Sequence, residues 1–114
     1  ISTLFKLNLI YAKKNNPNYI FILSAKYGLL CLKKKIEFYD ESLNKMKVVE
    51  LQNWSYNVLQ QLRNKFDLYE DHFVFLAGQS YRKYLIGNIT NYEIPFKGLG
   101  IGKQLQKLKY LIDE

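Results

Sequence analysis

Crosslinks and metal clusters are nearly excluded at the outset, because the chain has one cysteine, Cys31, and one histidine, His72. A single cysteine closes no intramolecular disulfide, and a structural zinc site needs several Cys or His ligands. A reducing compartment is the expectation, with no metal and no cofactor assigned. Arginine is equally scarce: of the 17 basic residues all but Arg63 and Arg82 are Lys. Bidentate forks against guanine, the usual means of reading bases in the major groove, are hard to supply from two residues. No uninterrupted apolar run approaches the roughly 18 residues of a membrane-spanning helix, and the opening residues lack the succession of a signal peptide. The expectation is a soluble, cytoplasmic chain with no membrane partner.

What is present suits one hydrophobic core. With 114 residues and 48% of them apolar, a single domain over residues 1–114 is expected. The formal charge of +7 attracts polyanions. The accompanying wealth of Lys, Asn, Ile and Tyr is also what an A·T-rich genome encodes, so the charge predicts contact with phosphates rather than base reading.

Apolar residues Leu4, Leu7, Ile10 and Tyr11 recur at helical spacing behind Ser2 and Thr3, and Asn15-Asn16-Pro17 ends the segment. A helix near 2–14 follows. Tyr19-Ile20-Phe21-Ile22-Leu23 and His72-Phe73-Val74-Phe75-Leu76-Ala77 are short continuous apolar runs, the pattern of strands buried on both faces. Tyr92-Glu93-Ile94 predicts a third, brief strand. Residues 25–44 show no clean period and read as a long, partly extended excursion. Met46, Val49, Trp54, Val58, Leu62 and Phe66 trace a long helical stripe, residues 79–86 a short helix stopped at Gly87 or Asn88, and Ile101, Leu105, Leu108 and Leu111 a last one. Alternating helices and apolar strands predict a three-layer α/β fold, with a short, mostly parallel sheet and helices on both faces. Three strands are few for such a sheet, so an N-terminal strand before Ile1 is expected to be supplied from elsewhere.

Parallel strands end on one side, which brings the loops 24–28, 77–81 and 95–104 to a common rim, where open α/β sheets bind ligands. The first offers the Ser24 hydroxyl, the Lys26 ammonium, the Tyr27 phenol and Gly28. The second offers Gly78 and Gln79 at a helix start and the Tyr81 ring. The third offers Gly98, Gly100, Gly102 and Gln104. Small residues at helix N-termini favour anions. The glycine series matches neither a dinucleotide fingerprint nor a P-loop, since Gln104 stands where Ser or Thr would follow Lys103. A turn leading into a helix competes with a ligand-contacting loop there. In the excursion, Tyr39 and Asp40 supply a ring and the carboxylate best suited to act as a base or to hold a sugar hydroxyl; a turn former is the competing role. Cys31 reads as a small hydrophobe, His72 as an exposed strand-end residue, and Trp54 as core.

Four segments together, Ser24-Ala25-Lys26-Tyr27-Gly28-Leu29-Leu30, Glu37-Phe38-Tyr39-Asp40, Ala77-Gly78-Gln79-Ser80-Tyr81 and the run from Pro95 to Leu105, carry a resemblance. The chain resembles a bacterial, archaeal and phage family catalogued as a domain of unknown function, and its first two motifs are similar to those of the YaaA peroxide-stress family. The resemblance implies DNA binding under oxidative stress as a class of activity. It also implies a preceding strand that ends in a Ser-Cys-Gly-Lys-like segment. Cys31-Leu32 and Phe38 depart from the Asp-Pro and Pro usual in relatives.

Three functions are weighed. The first is binding of nucleic acid or a nucleotide-like anion, with the rim glycines, Lys26 and Gln79 on phosphates and Tyr27 or Tyr81 stacking on a base. The second is an enzyme acting on a nucleoside or nucleic-acid base, with Asp40 as the base and Ser24 or Lys26 orienting the leaving group. The third is a non-catalytic, partner-binding module. The sequence sets no oligomeric state.

Overall fold

The computed structural model describes residues 3–31 and 43–113. In chain order the elements are α1 (Thr3–Lys14), β1 (Phe21–Ser24), β2 (Gly28–Cys31), a 3-10 turn (Leu43–Lys45), α2 (Val48–Arg63), β3 (His72–Val74), α3 (Gln79–Arg82), a second 3-10 turn (Ile86–Asn88), β4 (Asn91–Glu93) and α4 (Ile101–Ile112). They divide into two compact units: Phe21–Pro95, and Ile1–Ile20 together with Phe96–Glu114.

Helix α2 organises the unit Phe21–Pro95. Its inner face buries Trp54, Ser55, Val58, Leu59 and Leu62, and all of these but Ser55 join Leu43, Leu68, Phe75, Leu85 and Ile89 in one core cluster. Each large apolar side chain so buried contributes about 1.5–3 kcal/mol relative to exposure. Val49, expected on this stripe, is 66% exposed. It lies nine residues from Val58, and at about 100° per residue that places it half a turn away.

The strands correct the sequence reading. One mostly parallel sheet in three layers is expected from the alternating pattern; among the described residues there are two sheets of two strands. β1 pairs antiparallel with β2, Phe21 opposite Cys31 and Ser24 opposite Gly28, and β3 pairs parallel with β4, His72 opposite Asn91. The mixed α/β character stands. The chain reverses at 24–28, so that β2 returns alongside β1 where the reading has the start of a long excursion; the rest of that excursion, 32–42, lies outside the described residues. β3 is also shorter and more open than a doubly buried strand. Its burial pattern is exposed, half-buried, exposed, and the buried apolar residue, Phe75, follows it. The amide of Phe75 still donates to the Glu93 carbonyl at 3.0 Å, extending the parallel pairing by one rung.

Aromatic edges link the elements of this unit. The Phe66 ring stands edge-on to Phe21 of β1, centroids 5.6 Å apart, and to Phe73 of β3 at 6.3 Å. The loop between α2 and β3 is held by Asp67, whose Oδ1 accepts from the amides of Tyr69 and Glu70 at 2.8 and 3.2 Å. Asn91 Nδ2 donates to the Tyr69 carbonyl at 2.9 Å and fixes that loop to β4.

The other unit pairs α1 with α4. Leu108 is fully buried and Phe96 nearly so, and Tyr11 of α1 stacks obliquely on Phe96 at 5.4 Å. At the far end Lys14 Nζ donates to the carbonyls of Leu111 and Ile112 at 2.7 and 3.1 Å. A cation there satisfies carbonyls that the last turn of a helix leaves without partners and complements its dipole. Asn16, at φ 57°, ends the α1 segment in the left-handed region that Asn tolerates.

Candidate functional site

Loop 24–28 is built by its own serine. Ser24 Oγ accepts from the amides of Lys26 and Tyr27 at 3.2 and 3.1 Å, a hydroxyl standing in for the carbonyl of a turn. The turn closes at Gly28, whose φ of +75° favours glycine. A side chain there has no room either, since a Cβ would meet Gln61 Oε1 at 2.5 Å. That oxygen accepts from the Leu29 amide at 2.9 Å. The result presents Lys26 and Tyr27 outward. Tyr27 is 48% exposed, with Lys26 Nζ 5.3 Å from its ring centroid, within reach of a cation–π attraction.

Loop 77–81 enters α3. The Gly78 carbonyl accepts from the amides of Tyr81 and Arg82 at 3.0 and 3.3 Å, and that of Gln79 from Lys83 at 2.9 Å. Gly78 and Gln79 are exposed and Tyr81 is half-buried. Arg82 Nη1 turns back to the Ala77 carbonyl at 2.9 Å, and Lys83 Nζ lies 5.4 Å from the Tyr84 ring centroid. The helix is four residues long rather than the eight expected. After it, Leu85 donates to Arg82 and Asn88 to Leu85, the three-residue bonds of a tightening chain.

These two loops are brought together by Trp54. Its indole Nε1 donates to the Ser24 carbonyl at 2.8 Å, and its ring stands edge-on to Tyr81, centroids 5.8 Å apart at 80°. The sequence stripe marks Trp54 as core, which it is, at 7% exposed. What the stripe does not show is the linking role. The tryptophan itself carries the only signal, because a buried indole needs an acceptor. Gln61 escapes the sequence reading too, as one polar residue among several on α2.

Loop 95–104 lies, from Phe96 on, in the other unit. Leu99 donates to the Phe96 carbonyl at 3.2 Å through a turn with Gly98 at φ +80°. Gly100 is the extended residue before α4 and has no side-chain cap; its carbonyl accepts from the Gln104 amide at 2.9 Å. The Gln104 side chain folds back, Nε2 donating to the Leu99 carbonyl at 2.7 Å. A Cβ at Gly98, Gly100 or Gly102 would meet open space. Tyr39 and Asp40 lie outside the described residues.

In the unit Phe21–Pro95 a depression of about 580 Å³ is lined by Arg63, Lys65, Tyr69 and Asn88 among others. The carboxylates beside it, Asp67 and Asp71, already accept backbone amides. Among the described residues no group of three or more His, Cys, Asp or Glu could hold a metal ion, and no helix is long and apolar enough to cross a membrane. A protein-family model matches the chain over residues 1–110. No curated protein and no solved structure matches it.

Proposed function

The chain belongs to the Family of unknown function (DUF6884), so its activity has to be read from the site, and we propose that it binds nucleic acid or a nucleotide-like anion where loop 24–28 and the start of α3 meet. The observation that carries this is the double engagement of Trp54, which holds Ser24 and Tyr81 to one side chain. Lys26 supplies the charge, the half-exposed ring of Tyr27 a surface on which a base stacks, and the exposed backbone at Gly78 and Gln79 room for close approach. Ser24 acts as the turn former rather than a reacting hydroxyl, since its oxygen already accepts two amides. The glycine loop before α4 is a second place where an anion finds open backbone.

The likeness of the first two motifs to the YaaA family points the same way, toward DNA binding under oxidative stress. The enzymatic alternative rests on Asp40 and gains no support from the described residues. A partner-binding module would have the rim filled by its own side chains or by another subunit.

The chain has one tryptophan, so its emission reports on this surface. Titration with a single-stranded oligonucleotide at low salt is expected to change Trp54 fluorescence, with an affinity that falls steeply as salt rises. An unchanged emission together with no binding at low salt would remove the proposal.

A further inference from the structure

The charge of this molecule is unevenly shared. The unit formed by Ile1–Ile20 and Phe96–Glu114 carries seven lysines against two carboxylates, Asp113 and Glu114, which is +5 of the chain's +7. Asp113 caps the C-terminal end of α4, and no residue within the helix is acidic.

On α4 the exposed residues Lys103, Lys107 and Tyr110 follow one another at i, i+4 and i+7. At about 100° per residue they fall within roughly 60° of the helix circumference. At about 1.5 Å per residue the two ammonium stems are about 6 Å apart along the axis, with the phenol about one turn beyond. Tyr110 is 67% exposed, and the opposite face buries Leu108 completely. At the N-terminal end of the stripe stand the exposed Lys97 and the glycine turn, with no acidic residue in the first helical turn.

We infer that this face of α4 is a docking surface for the phosphate backbone of single-stranded nucleic acid. The inference rests on the proposed phosphate-bearing ligand and narrows it from a mononucleotide to a polymer, because two ammonium groups and a ring spaced along one helix face suit successive units of a strand. Lysines without arginine engage a backbone and leave bases unread. A lone exposed Tyr among them offers a stacking platform indifferent to sequence. An anionic membrane is the weaker fit, since an interfacial helix presents a broad apolar face to lipid, whereas Leu105, Leu108, Leu111 and Ile112 of α4 are buried or half-buried.

The test is the anisotropy of a dye-labelled oligothymidylate titrated with the full chain over a series of salt concentrations. For Lys103→Gln/Lys107→Gln the magnitude of the log–log salt slope is expected to fall by about 1.4, at about 0.7 for each phosphate of a single strand that is no longer neutralised. Because Lys107 Nζ also lies over the Phe96 ring at 5.6 Å, Lys103→Gln alone is the control that leaves that interaction intact; it is expected to show about half the change. Tyr110→Ala is expected to weaken binding at every salt concentration with the slope unchanged. An oligothymidylate that binds with the wild-type slope in both lysine variants overturns the inference and leaves the Trp54 rim standing. Absence of binding by the wild type at low salt overturns both readings. Loss of phosphatidylserine-vesicle binding in the lysine variants, with the oligothymidylate slope unaltered, overturns it in favour of a membrane surface.

Discussion

The indole Nε1 of Trp54 donates to the main-chain carbonyl of Ser24 at 2.8 Å, tying the middle of α2 to the last residue of β1. Trp54→Phe keeps an aromatic ring in the core and leaves that carbonyl without its donor. The expected loss is about 1–2 kcal/mol, the cost of an unsatisfied, partly buried acceptor together with a smaller ring. Urea unfolding followed by far-ultraviolet circular dichroism measures it, since the variant has no tryptophan; a loss below measurement error contradicts the linking role.

Gly28 and Gly98 share a positive φ but differ in surroundings, which separates backbone strain from crowding. Gly98→Ala is expected to cost about 1 kcal/mol from conformation alone. Gly28→Ala is expected to cost about 2 kcal/mol or more, because the new methyl also meets Gln61. Truncating the obstacle tests the assignment: in a double-mutant cycle Gly28→Ala and Gln61→Ala should be less costly together than the sum of each.

Ser55 is 1% exposed, and its Oγ has no hydrogen-bond partner among the described residues. Ser55→Ala removes a buried hydroxyl that gains nothing from its position and replaces it with the best helix former. Stability is expected to hold or to rise by about 1 kcal/mol, and a clear fall in the urea midpoint would mean that the hydroxyl is satisfied after all.

Lys14 caps the end of α4 rather than its own helix. Lys14→Met keeps most of the aliphatic stem and removes the charge, with an expected cost of about 0.5 kcal/mol at low ionic strength. Raising the salt should shrink the difference from wild type, as thermal unfolding at two ionic strengths will show.

On the proposed binding surface, Lys26→Gln should weaken oligonucleotide affinity and reduce its salt dependence, and Tyr27→Ala should cost about 1 kcal/mol of binding through the missing stack. Neither side chain is part of the core cluster, so melting temperatures should stay near wild type. Equal affinity in both variants would move the ligand elsewhere.

Periodicity makes the helices legible. Trp54, Val58 and Leu62 lie where a three-and-four stripe places them, and Asn15-Asn16-Pro17 closes the segment of α1 as turn residues do. The strands are harder, because a short apolar run states burial without naming its neighbour. Leu29 and Leu30 carry no alternation, and their pairing with β1 depends on a turn that Ser24 and Gly28 make together. The residues of that turn advertise a hydroxyl and an ammonium more loudly than a reversal of the chain. Trp54 and Gln61 illustrate the same limit: a helical stripe says which face turns inward and nothing about which distant carbonyl or amide waits there.

Phe66 has a mechanical consequence. Among the described residues the two pairs of strands share no rung, and what joins β1 to β3 is side-chain packing: the edges of the Phe66 ring and the core cluster against which Leu23 and Phe73 lie. Amides in the hairpin and in the parallel pair are therefore free to exchange with solvent on separate clocks.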